Sequence, residues 1–131
     1  AQMVISDGDR RLGVLTDVGE TTPFIETSLS GCDALFLEAN HCEDLLFQSR
    51  YPARLKARIA GRYGHLSNKA AATLLAAVAG PQLQHVVAAH LSRENNRADL
   101  ARAAFSAALG GAHDGIHIAS QDDGLHWVTI A

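Results

Sequence analysis

The chain has 131 residues, of which 47% are apolar and 19% charged, and its formal net charge is −3. This size and composition predict one globular domain that can bury a core. No apolar run reaches the ~20 residues of a membrane helix and no basic-then-apolar signal segment opens the chain, so no membrane partner is predicted. The two cysteines, Cys32 and Cys42, are too few for a disulfide scaffold or a structural zinc site, and we predict a cytoplasmic protein.

Apolar periodicity and turn residues divide the chain into strands and helices. Prolines and capping residues mark the helix starts, and glycines mark their ends. The predicted elements, in chain order, are strands at 2–6 and 12–16, a helix from Thr22-Pro23 to Gly31, a strand at 34–37, helices around 43–48, from Pro52, and from Ser67 or Asn68 to Gly80, a strand at 85–90, a helix capped by Asn95 that ends at Gly110, and an antiparallel hairpin formed by 115–120 and 126–130.

This order predicts an α/β domain with a mixed β-sheet and helices on one face. Several of the strands are apolar at every position, which is typical of strands that are covered on both faces. The helices can cover one face. The other face would remain open unless a second sheet packs there, and an exposed apolar face of that size indicates an interface.

Side chains that can carry chemistry follow the apolar segments, and sites in open α/β sheets form beyond the carboxyl ends of strands. Asp17, Glu38 and His90 each end or directly follow a predicted strand. His65 and His90 are each followed by Leu-Ser and start a polar loop beside a helix N-terminus, which suits an anion. Any one of these residues alone is also typical of an ordinary solvated loop. The other histidines lack polar neighbours in sequence, and we interpret His85, His113, His117 and His126 as non-catalytic.

Charge is distributed unevenly along the chain. No acidic residue lies between Leu45 and Arg93. This acid-free span either forms a solvated helix face or binds phosphates through its guanidinium and ammonium groups. Its basic residues are Arg50, Arg54, Lys56, Arg58, Arg62, Lys69 and Arg93.

Asp17 and His90 are candidate metal ligands. Hydrolysis of a phosphate ester needs an activated water and stabilised charge on the phosphoryl oxygens, which two metal ions ~3.5–4 Å apart can supply. A catalytic zinc ion takes about three protein ligands. Two ligands from this chain are therefore too few for a binuclear centre.

Five motifs, taken in order, resemble the C-terminal half of a metallo-β-lactamase-fold hydrolase. Within that fold they are most similar to the YycJ/WalJ-type exonucleases, to which RNase Z and the PhnP-type phosphodiesterases are more distantly related. The motifs are Thr16-Asp17-Val18-Gly19, Leu37-Glu38-Ala39-Asn40-His41, Tyr51-Pro52-Ala53-Arg54-Leu55-Lys56-Ala57-Arg58-Ile59, Gly64-His65-Leu66-Ser67-Asn68 and His90-Leu91-Ser92.

The resemblance implies an αββα sandwich in which residues 1–131 are the C-terminal half and an absent N-terminal half is the partner. It implies two divalent metal ions, zinc or manganese, with Asp17 bridging both and His90 ligating one. His65 would stabilise or protonate the phosphoryl group, and Glu38 would orient His65. Substrate contacts would come from Ser67, Asn68, Ser92 and Asn95.

Two features depart from the family pattern. The His-x-His-x-Asp-His ligand motif and a further histidine before the bridging aspartate are absent, and both belong to the N-terminal half. Cys42 stands where the family commonly has an aspartate, so we interpret Cys42 as structural.

The resemblance implies a metal-dependent hydrolase of phosphodiester bonds, a nuclease that uses a water activated by two metals. Its substrate would be a nucleic acid or a small phosphodiester, and this chain alone would be inactive. One alternative is a thioesterase or lactamase type of the same fold, against which the acid-free basic span argues. The other is a non-catalytic half-domain that binds a partner through its open sheet face.

Overall fold

A five-stranded mixed sheet runs through the chain, and the computed structural model describes residues 1–131. The strands lie in the sheet in chain order; β1 is antiparallel to β2, and all other neighbours are parallel. The strands are β1 (Gln2–Ser6), β2 (Arg11–Leu15), β3 (Ala34–Glu38), β4 (His85–Ala89) and β5 (Ile116–Ile118). The helices are α1 (Pro23–Leu29), α2 (Glu43–Gln48), α3 (Ala53–Ala60), α4 (Asn68–Val78) and α5 (Ala98–Ala108).

Helix starts follow from local capping chemistry. The Thr22 side chain accepts a hydrogen bond from the backbone N–H of Ile25 at the start of α1, and Ser67 does the same for Ala70 at the start of α4. These hydroxyls satisfy donors that the first helical turn leaves unpaired. No helix has both the length and the apolar character needed to cross a bilayer.

The predicted cap of α5 is wrong. The N-cap is Arg97, not Asn95. Asn95 lies in the preceding turn, where its backbone N–H bonds the Ser92 hydroxyl at 3.2 Å, and Asn96 accepts the Arg97 backbone N–H at 2.9 Å. The polar turn therefore runs further than its composition indicates, and the helix begins later.

The core lies between one face of the sheet and the helices. Leu35 and Leu37 on β3 and Val86 and Ala88 on β4 are fully buried on this face. They join a cluster with residues of α1, α4 and α5, in which Phe105 has no exposed surface. Helix α3 has no buried residue and lies at the margin of the domain.

The opposite face of the sheet carries alternate residues of the same strands. Leu12, Ala34, Phe36 and Val87 face this side by their register, and residues 125–128 and Ile130 line a pocket with them. We name residues 125–131 the tail and this side the open face. No helix covers the open face; only the tail lies over it.

The predicted C-terminal hairpin is wrong. Strand β5 is short and pairs in parallel with β4, and no strand forms at 126–130. The Asp-Asp-Gly turn closes only an isolated bridge between Ser120 and Gly124. Strand β5 takes the edge of β4 as its backbone partner. The tail forms hydrogen bonds with side chains at and just before the start of β4: the Ala131 backbone bonds the Gln84 side chain, and the Thr129 carbonyl bonds the His85 ring.

Candidate metal and catalytic site

Three neighbouring parallel strands bring polar side chains to one edge of the sheet. Glu38 is the last residue of β3, Asp17 follows β2 by two residues, and His90 directly follows β4. The strand register keeps these ends level, since Glu38 lies opposite Ala89. One potential ligand atom from each of the three side chains lies within 4.8 Å of the others. We name Asp17, Glu38, His65 and His90 the edge site.

The backbone is unusual at two of these positions. Asp17 and His90 have φ angles of 57° and 56°, and no other non-glycine residue has a positive φ. Such a left-handed conformation costs about 1–3 kcal/mol and is concentrated at functional sites. The strain falls on the two residues that the sequence marks as metal ligands.

Glu38 is buried and holds His65. Its side chain has no exposed surface, and its Oε1 atom lies 2.8 Å from His65 Nδ1. The other oxygen accepts the backbone N–H groups of Val18 at 3.4 Å and Leu66 at 3.3 Å. With a proton on Nδ1, His65 donates this hydrogen bond to the Glu38 carboxyl group. Nε2 is then the nitrogen that a substrate can reach, and the His65 side chain is 38% exposed.

Asp17 and His90 face each other without a direct hydrogen bond. His90 Nδ1 lies 3.8 Å from Asp17 Oδ1 and 3.6 Å from Glu38 Oε1, beyond ordinary hydrogen-bond lengths. Ligand atoms bound at ~2.0–2.2 Å to one ion are at most about 4 Å apart. A carboxylate with an imidazole also suits zinc or manganese. Asp17 and His90 therefore fit a shared ion, whereas both Glu38 oxygens have partners within the protein.

The position of His65 depends on backbone pairing between two loops. After β3 the backbone runs beside residues 66–68: Asn40 N–H bonds Leu66 C=O at 2.9 Å, and Asn68 N–H bonds His41 C=O at 2.8 Å. A Cβ atom on Gly19 would meet the Gly61 carbonyl oxygen at 2.3 Å. This close approach, possible only for glycine, holds the loop after Asp17 against the loop before His65.

His41 lies buried among these loops. Burial is the main cause that lowers its pKa, while Glu43 opposes that shift. Its Nδ1 atom lies 3.2 Å from the Asn40 side-chain oxygen. The sequence singled out the Asn40-His41 pair without giving it a role, and the structure places His41 in the support of the edge site.

The four predicted substrate-contact residues lie in the loops around the edge site and at the start of α4, and most of their polar groups have partners in the protein. Ser67 caps α4 and bonds Glu43 at 3.1 Å. Asn68 forms a reciprocal amide pair with Asn96, at 2.8 Å in each direction. Ser92 holds the turn at Asn95. Asn95 is 1% exposed, and its Oδ1 atom has no hydrogen-bond partner.

Part of the basic span is neutralised by acidic partners. Arg62 lies 2.7 Å from Glu20, and Arg93 lies 2.6 Å from Asp122. Both acidic residues lie outside the acid-free span. The sequence pattern alone therefore overstates the free positive charge of this surface.

No family model matches the chain, but curated relatives do. The chain is 35% identical over 103 residues to the exodeoxyribonuclease YycJ of Bacillus anthracis. The aligned region covers 79% of this chain and 39% of that protein. The chain is 34% identical over 93 residues to the exodeoxyribonuclease WalJ of Streptococcus pneumoniae, covering 71% of this chain and 35% of that protein. The resemblance predicted from the motifs is confirmed, and the chain spans less than two fifths of these relatives.

Solved structures match nearly the whole chain. The metallo-β-lactamase fold protein YhfI of Bacillus subtilis matches with a TM-score of 0.63 at 19% identity, covering 96% of this chain and 43% of that one. Zinc-bound PqqB of Methylobacterium extorquens matches with a TM-score of 0.61 at 21% identity, covering 95% of this chain and 39% of that one. A diphosphatase of the PhnP family matches with a TM-score of 0.50 at 17% identity, covering 95% of this chain and 40% of that one.

Proposed function

We propose that this chain, which has part of a metallo-β-lactamase fold, is the C-terminal half of a metal-dependent phosphodiester hydrolase of the nuclease type. The observation that carries the proposal is the edge site, where Asp17 and His90 lie beside the Glu38–His65 pair. A ligand pair and an oriented imidazole at one sheet edge are the parts that such a hydrolase requires from this half.

Asp17 and His90 would hold divalent ions, zinc or manganese, together with ligands from the N-terminal half. Asp17 would bridge two ions and His90 would bind one. Two such ions, when bound, activate a water and neutralise charge on the phosphoryl oxygens. The two side chains already lie 3.8 Å apart at their nearest ligand atoms, and both residues have the positive φ that is concentrated at functional sites.

His65 would act on the phosphoryl group through Nε2. Glu38 accepts the hydrogen bond from His65 Nδ1–H and thereby fixes the ring. In the imidazolium form, Nε2 also carries a proton and can donate it to a phosphoryl or leaving-group oxygen. This is general acid catalysis by a positioned imidazole. Glu38 is a positioning residue, because its own oxygens bond His65 and two backbone N–H groups.

The partner would be an N-terminal half that packs on the open face. Leu12 and Phe36 stay partly exposed there, and together with the tail they form an apolar surface that a second sheet can cover. The chain matches less than two fifths of the length of its relatives, which supports the same arrangement. A chain without that half would lack the remaining metal ligands and be inactive.

The proposed substrate is DNA. Support comes from the exodeoxyribonuclease names of the curated relatives. The two unpaired cysteines, Cys32 and Cys42, fit the proposed cytoplasmic location.

The test uses the full-length protein that contains this chain, loaded with zinc or with manganese. Its substrates are an end-labelled single-stranded DNA, bis(p-nitrophenyl) phosphate and an acyl thioester. We expect hydrolysis of the DNA and the diester, none of the thioester, and loss of activity after chelation of the metal. Hydrolysis of the thioester alone would contradict the proposal.

A further inference from the structure

A pocket of about 420 Å³ opens beside His65, on the side where the loop after β3, the start of α3 and the loop after β4 meet. This volume lies within the range of small-ligand pockets. Tyr51, Arg93 and Asn95 line it together with His65. A substrate with its phosphate at His65 would extend into this pocket.

The charges of the pocket do not suit a second phosphate. Arg93 is already paired with Asp122 at 2.6 Å, and the Glu94 carboxylate also lines the pocket. A phosphate needs unpaired donors or cations, and an acidic neighbour repels it. The occupant is therefore a neutral part of the substrate.

Two planar groups in the pocket suit a flat ring. Tyr51 is half-buried. The Arg93 guanidinium is held by Gln121 at 2.7 Å in addition to Asp122, which fixes its plane. Aromatic rings and guanidinium planes are the groups on which unstacked nucleobases stack.

One of the residues that line the pocket, Asn95, carries a buried side-chain acceptor that has no donor. Asn95 is 1% exposed, and its Oδ1 atom has no hydrogen-bond partner in the protein. Such an orphaned acceptor is costly unless a ligand satisfies it. The exocyclic amino group of a base is a suitable donor, and asparagine commonly pairs with adenine.

We infer that this pocket binds the nucleobase adjacent to the phosphate at the edge site, with Tyr51 and Arg93 as stacking groups and Asn95 as the acceptor. The inference rests on the proposed function, because it takes the phosphate of the substrate to lie at His65. Such a pocket would make the enzyme prefer phosphodiesters that carry a nucleobase over phosphodiesters that carry none.

The first test compares two single-stranded DNA substrates in the full-length protein, one with a terminal adenine and one with an abasic terminal residue. We expect kcat/KM to favour the adenine substrate about tenfold, the usual size of one base–aromatic stack. Tyr51→Leu should bring the ratio near one, and Tyr51→Phe should keep it. The chain's other tyrosine provides the control: Tyr63 is 92% exposed and does not line the pocket, so Tyr63→Leu should keep both the ratio and the activity.

Should Tyr51→Leu fail to fold, Arg93→Gln gives the same test, because the Arg93 side chain is 64% exposed and we expect the fold to tolerate its loss. A wild-type ratio near one, or a ratio that survives Tyr51→Leu or Arg93→Gln, would overturn the inference.

The second test separates the inference from the proposed function. Deoxyadenosine monophosphate and deoxyribose 5-phosphate are added separately to the full-length protein, and amide NMR spectra are recorded. We expect the Asn95 side-chain amide to shift with the nucleotide and not with the sugar phosphate. If no phosphodiester is hydrolysed but this shift occurs, the proposed function fails and the base subsite stands. Equal or absent shifts with both compounds would overturn the subsite.

Discussion

The chain has two groups of histidines in different surroundings. At the carboxyl edge of the sheet, His65 and His90 lie beside Glu38 and Asp17. On the open face, His85, His117 and His126 lie beside one another: His85 Nδ1 is 3.1 Å from His117 Nε2, and the rings of His117 and His126 are 5.6 Å apart.

The difference lies in the neighbours. Burial, followed by the His85 and His126 side chains, lowers the pKa of His117, so a neutral ring is favoured on the open face. At the edge, carboxylates face the imidazoles and offer the donors of a metal site. The comparison teaches that a histidine's partners, rather than its burial, distinguish a candidate catalytic position from a structural one.

The largest expected effect comes from removing the edge carboxylate that would bridge the metals. Asp17→Ala in the full-length protein should abolish activity and reduce bound metal, because a ligand is lost. Elemental analysis of the purified protein and a hydrolysis assay measure both. The matched control is Asp9→Asn, an exposed turn residue, which should leave both unchanged. An active Asp17→Ala variant would remove the distinction between the two histidine groups.

The next effect separates chemistry from metal binding. His65→Gln should lower kcat by about 10²–10⁴-fold, the usual contribution of a general acid, with metal content nearly intact. Glu38→Gln alone should cost about 10–100-fold, but it should cost little more in the His65→Gln background, because Glu38 acts through His65. Additive losses in the double variant, or metal loss in His65→Gln, would assign these residues other roles.

A smaller effect is expected with pH, from His41 behind the edge site. The folded-state pKa of His41 lies below its ordinary value of 6.5 because of burial. The unfolded chain therefore takes up protons first, and the free energy of unfolding should fall as the pH drops below about 6.5. Urea titrations of this chain between pH 7 and pH 5 measure the slope. In His41→Gln the slope should be shallower, and an unchanged slope would mean that His41 does not titrate differently on folding.

The smallest effect is expected on the open face. His117→Gln should leave kcat within about twofold of wild type, since His117 has no acidic partner near the edge site. The same hydrolysis assay measures this. A loss as large as that of His65→Gln would show that the two histidine groups do not differ in function.

The sequence predicted the edge site better than the region after α5, for a physical reason. Apolar runs fix where β2, β3 and β4 end, and parallel strands bring their ends together, so the proximity of Asp17, Glu38 and His90 follows from local patterns. The tail depends on distant contacts with Gln84 and His85. Its alternating pattern fits a strand as well as a segment packed on the open face, so the pattern predicted a hairpin that does not form.

The roles of the side chains in the loops could also not be predicted from the sequence. Ser67 and Asn68 sit in a motif that suggests substrate contact, yet capping and the Asn68–Asn96 pair engage their polar groups. Tyr51 and Arg93 drew no functional interpretation as individual residues, because only the fold brings them together beside His65. Such pairings join residues far apart in the chain, and local composition carries no signal for them.

The most direct measurement is an anomalous-scattering map from crystals of the full-length protein grown with zinc or manganese. We expect a metal peak within bonding distance of both an Asp17 carboxylate oxygen and a His90 ring nitrogen, with further ligands from outside this chain. Metal elsewhere, or no peak between Asp17 and His90, would contradict the proposal that these two residues hold a metal ion.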